Sequence, residues 1–354
     1  MSNRRDNKQP PSGLESGGVP GVPDYDPEDP VENAVIARLA ENWPRRAVVK
    51  RTEPELDDLF ELDRPDYPES ILPFRSHPTY LELDSDAKNR ILAWAWVAFN
   101  KNIMDIEQRV VNPGFMLIAG DAFATGLDES MATAVTEAMV DEQYHTLIHL
   151  NASAVMRRRR GWRMPESALP VGHKARRHQA RIEAAACEWQ REFSMLAFTT
   201  VAEISINAYL DLIADNTEIQ PVNRTTAVLH NRDEYCHSSI AAEIAKAAYA
   251  HLGEEQRSFF REALADGMQA FAANDFSTWR RIVTLVGIAG GEQMLKDVAH
   301  DPSGQRLLQD FSGLHRLCAE MDLLEILPFD WSTVAVSDNG LFRGDNAHAP
   351  GRQL

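Results

Sequence analysis

Apolar side chains recur at three- and four-residue intervals over long stretches of this chain, and those stretches contain almost no Gly or Pro. A period near 3.6 is the signature of amphipathic helix, whereas half-buried strands alternate with period two. The pattern predicts helices over 84–111, 129–156, 172–213, 224–252, 254–273, 276–288 and 304–323. Pro113 with Gly114 should end the first, Gly161 follows the second, Asn216 and Pro221 separate the third from the fourth, and Gly253 closes the fourth. No period-two runs flank hairpin turns, and no repeat of solenoid length occurs. The fold class expected is all-α, with helices long enough for a bundle.

The ends read differently. Residues 1–31 are rich in Pro, Gly, Ser and Asp and hold few large apolar side chains, so they should be disordered. The tail 336–354 has the same character, which leaves one domain over 32–335. Within it, Pro65, Pro68, Pro73 and Pro78 should hold residues 63–79 as an extended strap, because Pro also turns its predecessor away from helix.

Charge and composition narrow the function classes. Lys and Arg number 36 against 53 Asp and Glu, a net charge of −17, which argues against an electrostatic grip on nucleic acid or an anionic membrane surface. The basic block Arg157–Arg160 is too short to overturn this. No apolar run reaches membrane-spanning length, and the N-terminus does not read as a secretory signal. Three cysteines (Cys187, Cys236, Cys318) make no disulfide framework, which fits a reducing, cytoplasmic setting.

Two segments carry the chemistry. Asp141-Glu142-Gln143-Tyr144-His145 and Asp233-Glu234-Tyr235-Cys236-His237 both contain Asp-Glu-x-x-His. On a helix, i and i+3 share a face, so Glu142 with His145 and Glu234 with His237 can each aim a carboxylate and an imidazole at one point. Such a pair on each of two helices, with one further Glu from each of two others, is the donor set of a ferritin-like four-helix di-metal bundle. Glu107 and Glu203 stand at the matching places, and Glu203 is the lone charge in the apolar run from Phe193 to Leu210. A carboxylate buried there is costly unless it is paired or binds metal. The spacings 107 to 142 and 203 to 234 are 35 and 31 residues, each suiting one helix up and the next down. Asp141 and Asp233, four residues before the histidines, are placed to accept an outer ring N–H and fix its tautomer. His230 and His149 are equal candidates, by spacing, for a third imidazole. Mixed carboxylate and imidazole donors suit redox-active iron, or less readily manganese, rather than a thiolate-rich structural zinc site. A pair of irons can reduce O₂ by two electrons to a bound peroxo species.

These motifs, together with Trp43-Pro44-Arg45-Arg46-Ala47, Pro65-Asp66-Tyr67-Pro68, Pro73-Phe74, His77-Pro78, Ile206-Asn207-Ala208 and Asp310-Phe311-Ser312-Gly313, resemble the di-iron arylamine N-oxygenases over roughly residues 32–331. The resemblance implies a ferritin-like di-iron oxygenase domain with additional helices. It implies two iron ions held by Glu107, Glu142, His145, Glu203, His230, Glu234 and His237, and so favours His230 over His149. It further implies a homodimer that uses O₂, an external electron donor and a peroxo-diferric oxidant. The reaction would take an aromatic or heteroaromatic amine to the nitro compound through hydroxylamine and nitroso stages, in natural-product biosynthesis. The type member carries Tyr, Arg and Arg where this chain has Phe99, Asn102 and His315. That change implies a substrate pocket lacking the Arg–carboxylate contact, and an amine without a carboxylate, such as 2-aminoimidazole. Asp105 is a further candidate for holding the amine. The competing readings are a di-iron C-hydroxylase or desaturase, a ferritin-like ferroxidase, and a metal-free helical scaffold.

Overall fold

The computed structural model describes residues 30–51, 54–127, 129–273, 275–300 and 309–337. The expected disorder of 1–31 and of the tail beyond residue 337 therefore lies almost wholly outside the described residues. Twelve α-helices run through the described residues: α1 Pro30–Arg46, α2 Pro78–Leu81, α3 Ser85–Ile106, α4 Asn112–Ala119, α5 Glu129–Arg160, α6 His173–Ala184, α7 Glu188–Ala214, α8 Pro221–Ala250, α9 Glu254–Ala272, α10 Phe276–Val286, α11 Gly291–His300 and α12 Ser312–Glu320. The one β-contact among them is an isolated bridge between Asp310 and Ala335, so the fold is all-α.

Helices α3, α5, α7 and α8 form the central bundle; α7 and α8 pack along each other, and α9 lies against α7. Two apolar cores fill the two ends. Phe115, Phe198, Val201, Ile244 and Phe260 belong to one, and Leu92, Trp96, Ile103, Leu210 and Ile282 to the other. The buried polar residues of the four bundle helices make up the layer that contains the site. Helix α7 is apolar and long enough to cross a membrane by composition, yet two thirds of its most apolar window is buried inside the molecule.

The first predicted helix does not end at Pro113. After Ile106 the backbone widens into a single π-helical turn, Glu107–Val111, and continues directly into α4. Pro113 has no N–H for the carbonyl of Arg109, four residues earlier. That carbonyl instead accepts from His178 Nδ1 at 3.0 Å. Two neighbouring carbonyls are served in the same way: Asn112 Nδ2 donates to Glu107 O and Thr199 Oγ1 to Val110 O, both at 3.0 Å. Gly114 permits this approach, because a Cβ there would collide with the Thr199 side chain. Single π-turns of this kind gather at functional sites, and this one begins at Glu107.

Other boundaries moved too. The predicted 172–213 helix is two, broken at Ala185–Cys187, where Cys187 is extended (φ −150°, ψ 174°). The 304–323 helix is shorter, Ser312–Glu320, and residues 301–308 lie outside the described residues. Helices α1 and α11 fall where none was predicted. The strap is mostly turns and a 3₁₀ turn, with short extended stretches at Pro68 and Leu72, and it ends in α2; Gln220 pins it to the start of α8 by donating to Arg64 O and accepting from Glu61 N.

Candidate metal centre

Seven side chains converge at mid-bundle, and all are buried: Glu107 at the end of α3, Glu142 and His145 on α5, Glu203 on α7, and His230, Glu234 and His237 on α8. They form two overlapping groups. Donor atoms of Glu142, His145, His230 and Glu234 lie within 4.8 Å of one another, and so do those of Glu142, Glu203, Glu234 and His237. Glu142 and Glu234 belong to both groups, the geometry of two carboxylates shared between two ions. Glu107 joins the first group, its Oε1 lying 3.7 Å from His230 Nε2. Glu203 Oε2 is 3.8 Å from His237 Nδ1 in the second.

The donor set fits divalent metal on three counts. All donors are oxygen or nitrogen. Glu107 Oε2 and Glu203 Oε2 are buried without any hydrogen-bond partner, an expensive state for a carboxylate. Four buried carboxylates carry −4 when ionised, which two divalent ions would cancel.

The electrostatics describe the same need. Burial, and next the charge of Glu142, push Glu107 and Glu203 well above the ordinary carboxyl range. Burial also opposes charge on Glu142 and Glu234, but the imidazoles beside them prevail, holding Glu142 at about 2 and Glu234 well below its usual value. His145 and His237, against the burial that lowers them, are raised well above the usual imidazole value, chiefly by Glu142.

The outer ring nitrogens are held by the two aspartates, but crosswise. His145 Nε2 on α5 lies 3.3 Å from Asp233 Oδ2 on α8, and His237 Nε2 on α8 lies 3.2 Å from Asp141 Oδ2 on α5. Spacing marks both aspartates as partners of an outer ring N–H without saying which ring each would meet. At i and i+4 each aspartate does share a face with the histidine of its own motif, but packing of α5 on α8 brings the opposite ring closer.

His230 is turned by a relay. Asn100 Nδ2 donates to Ser153 Oγ at 2.6 Å, which leaves Asn100 Oδ1 to accept from His149 Nδ1 at 2.7 Å. Burial first, then the neighbouring imidazoles, keep His149 neutral, so its Nε2 accepts from His230 Nδ1 at 2.9 Å. His230 Nε2 points at the carboxylates, 2.8 Å from Glu234 Oε1, the side from which it would offer a lone pair to a metal ion. This separates the two candidate histidines: His230 faces the carboxylates, and His149 stands behind it.

A cavity of about 940 Å³ is lined by Phe99 and Asn102, two of the three residues named as a candidate substrate pocket. Phe99 also lies 6.0 Å from His149, ring to ring, and so stands between the cavity and the relay. His315 does not line this cavity; it packs edge-on against Trp331 at 4.9 Å. Asp105 does not offer its carboxylate to an amine either. It is engaged by Lys101 (2.8 Å), Arg109 (3.3 Å) and the backbone N–H of Gly172 (2.8 Å). Sequence reasoning passed over Lys174, which lines the cavity with its ammonium over the rings of Tyr209 (5.1 Å) and Phe271 (4.7 Å). No carboxylate partner for it occurs among the described residues, and burial lowers its pKa to about 8. It also passed over helix α1, whose Trp43 Nε1 donates to both oxygens of Asp141 (3.0 and 2.9 Å).

The sequence profile described as P-aminobenzoate N-oxygenase AurF matches residues 29–322. A 4-aminobenzoate N-oxygenase of Streptomyces thioluteus is 33% identical over 308 residues, covering 86% of this chain and 91% of that protein.

Proposed function

Because this chain belongs to the p-aminobenzoate N-oxygenase AurF family, we propose that its buried Glu/His cluster holds two iron ions and that the protein N-oxygenates an aromatic or heteroaromatic amine. The observation that carries this reading is the pair of overlapping buried donor groups sharing Glu142 and Glu234. Glu107, His145 and His230 would complete one half, Glu203 and His237 the other, with Asp141 and Asp233 orienting the rings. When bound, a ferrous pair supplies the electrons that activate O₂, which an external donor must replenish. The protein's own part is positional. The relay from Asn100 turns the His230 lone pair inward, the crossed aspartates aim His145 and His237, and Phe99 walls the cluster from the open cavity.

Turnover in natural-product biosynthesis would take the amine through hydroxylamine and nitroso stages to the nitro group. Iron is preferred to manganese for the O₂ chemistry of a carboxylate and imidazole site. Outward-facing Val140, Leu147 and Leu150 on α5, with Val228 and Tyr235 on α8, are between 38% and 47% exposed and suit the surface of a homodimer. Free thiols at Cys187, Cys236 and Cys318 accord with a cytoplasmic protein.

Two substrate readings stand. Phe99 and Asn102 offer no cation at the cavity wall, which favours a neutral amino-heteroaromatic. Lys174, an ammonium in the same wall without a carboxylate partner among the described residues, favours an amine bearing an acid group. The deciding experiment incubates the iron-loaded enzyme with O₂, reductant and a panel of arylamines and heteroarylamines, with mass detection of oxygenated products. Oxygen gain on the amine nitrogen is expected. Turnover of hydrocarbons at carbon with every amine left untouched would overturn the assignment and favour a hydroxylase or desaturase.

A further inference from the structure

Helix α1 ends directly over the two crossed Asp–His pairs. Arg46 Nη1 lies 3.6 Å from Asp141 Oδ2 and 3.8 Å from Asp233 Oδ1. Its side chain is 15% exposed, whereas both aspartates are fully buried. Each aspartate also has an anchor of its own. Trp43 Nε1 donates only to Asp141, and the backbone N–H of Val48 donates to Asp233 Oδ2 at 3.3 Å. Two buried carboxylates thus face one guanidinium, together with one private donor each.

We propose that Arg46 is a positioning residue for both halves of the cluster at once: one charge, brought by a helix from outside the bundle, fixes the two aspartates that aim His145 and His237. The proposal rests on the reading that the cluster holds two metal ions. Its physical basis is that a carboxylate behind a ligating imidazole sets the ring's orientation, and that a buried carboxylate stays in place only while its own charge is compensated. Arg46 compensates both aspartates because it lies between them. The crossed pairing then carries its effect to α5 through His145 and to α8 through His237. Trp43, by contrast, reaches only the His237 side. The two residues sit in one short motif, three positions apart, yet make different predictions.

Anaerobic titration of the full chain with Co(II), followed by calorimetry and by visible absorption, separates these roles. The native chain is expected to take two ions. Arg46→Gln should weaken both binding events, each about 10- to 100-fold, the range for loss of a partner behind a metal ligand. Trp43→Phe should weaken one event by a similar factor and spare the other. Arg46→Lys, which keeps the charge without the planar fork, should recover part of the loss in both events. A general loosening of the fold would not produce this one-against-two pattern, and circular dichroism of the metal-free variants checks it directly. If Arg46→Gln does not fold, Arg46→Lys decides, with a weaker loss in both events expected. Native affinities in both events for whichever Arg46 variant folds, or a loss confined to the event that Trp43→Phe affects, would overturn the proposal. A native chain binding fewer than two Co(II) would instead overturn the metal reading itself, a result visible before any variant is compared.

Discussion

Filling the cluster with divalent metal should expel protons, up to four per chain. Without metal, Glu107 and Glu203 are raised well above the ordinary carboxyl value, by burial and then by Glu142, so each keeps its proton to a higher pH than an exposed carboxyl does. His145 and His237 are raised well above the usual imidazole value, chiefly by Glu142, which favours their protonated form. Both nitrogens of each ring face carboxylate oxygens, as an imidazolium requires: His145 Nδ1 lies 3.0 Å from Glu142 and Nε2 3.3 Å from Asp233; His237 Nδ1 lies 2.6 Å from Glu142 and Nε2 3.2 Å from Asp141. Glu142 and Glu234 are ionised, so the seven residues carry 2 − 2 = 0. With two divalent ions the rings must be neutral and all four carboxylates ionised, giving 4 − 4 = 0. Where all four groups are protonated, the exchange is two ions for 2 + 2 = 4 protons, and the net charge of the seven residues with their ions does not change. Metal affinity must then rise with pH. While all four groups are protonated in the metal-free chain, the overall two-ion constant gains about four decades per pH unit, about 5.4 kcal/mol at 1.36 kcal/mol per unit. The gain fades as pH climbs through the raised values, where the metal-free chain has already lost its protons. Anaerobic Fe(II) addition in weakly buffered solution with a pH indicator counts the release. A release of about one proton or fewer at pH 7, or an affinity flat between pH 6 and 7, would refute this protonation scheme.

Three further outcomes follow from other parts of the molecule. His178, held neutral by burial at about 4 while donating to Arg109 O, contributes stability that is full above 6.5 and is lost as pH falls from 6.5 through 4. His178→Gln should remove that dependence, about 3 kcal/mol over the window, so its melting temperature should fall less steeply with acid than that of the native chain. Equal slopes would show that His178 is not a source of acid lability. Gly114→Ala forces the Thr199 side chain away from Val110 O and should cost about 1–3 kcal/mol in a denaturant melt, while Thr199→Val should cost only about 1 kcal/mol; a neutral Gly114→Ala would contradict the close approach of α4 to α7. Lys174→Met should raise KM for an acid-bearing arylamine far more than for a neutral heteroarylamine, and equal effects on both would remove Lys174 from substrate recognition.

Most of the residues that converge at mid-bundle were legible in the sequence because they left a local mark. A Glu and a His three apart share a helix face whatever the rest of the fold does. Glu203 announced itself as a lone charge in a run that only a core could accept. Two such motifs and two such carboxylates on successive helices leave few arrangements other than convergence. The expected all-α class followed from periodicity, and most long helices fell within a few residues of the predicted bounds. Spacing alone tied His230 with His149. The tie is broken by contacts with Asn100 and Ser153, 49 and 53 positions removed from their partners.

What was not legible depends on partners distant in the chain. No rule of spacing crosses Asp141 to His237, because the choice is made by the way α5 lies on α8. The helix continues past Pro113 because His178, from another helix, takes over the carbonyl that proline abandons; read locally, Pro-Gly ends a helix. The Ala184–Ala186 run favours helix, yet the chain turns there, with Ala186 N bonded to Gln190 Oε1 at 2.8 Å, since α6 and α7 must take different directions over the core. Helix α1 follows a polar, Pro-rich stretch and carries Pro44 in its last turn, so periodicity predicted no helix there. Its role comes from where it docks, with Trp43 and Arg46 over two aspartates about a hundred and two hundred residues away in sequence. The pattern in these cases is consistent. Most atoms facing the proposed metals, and the two aspartates behind the rings, were readable from helix spacing; which ring each aspartate meets, and the groups of α1 and α3 that fix the aim, were not, since that choice requires a second element whose position only the folded chain supplies.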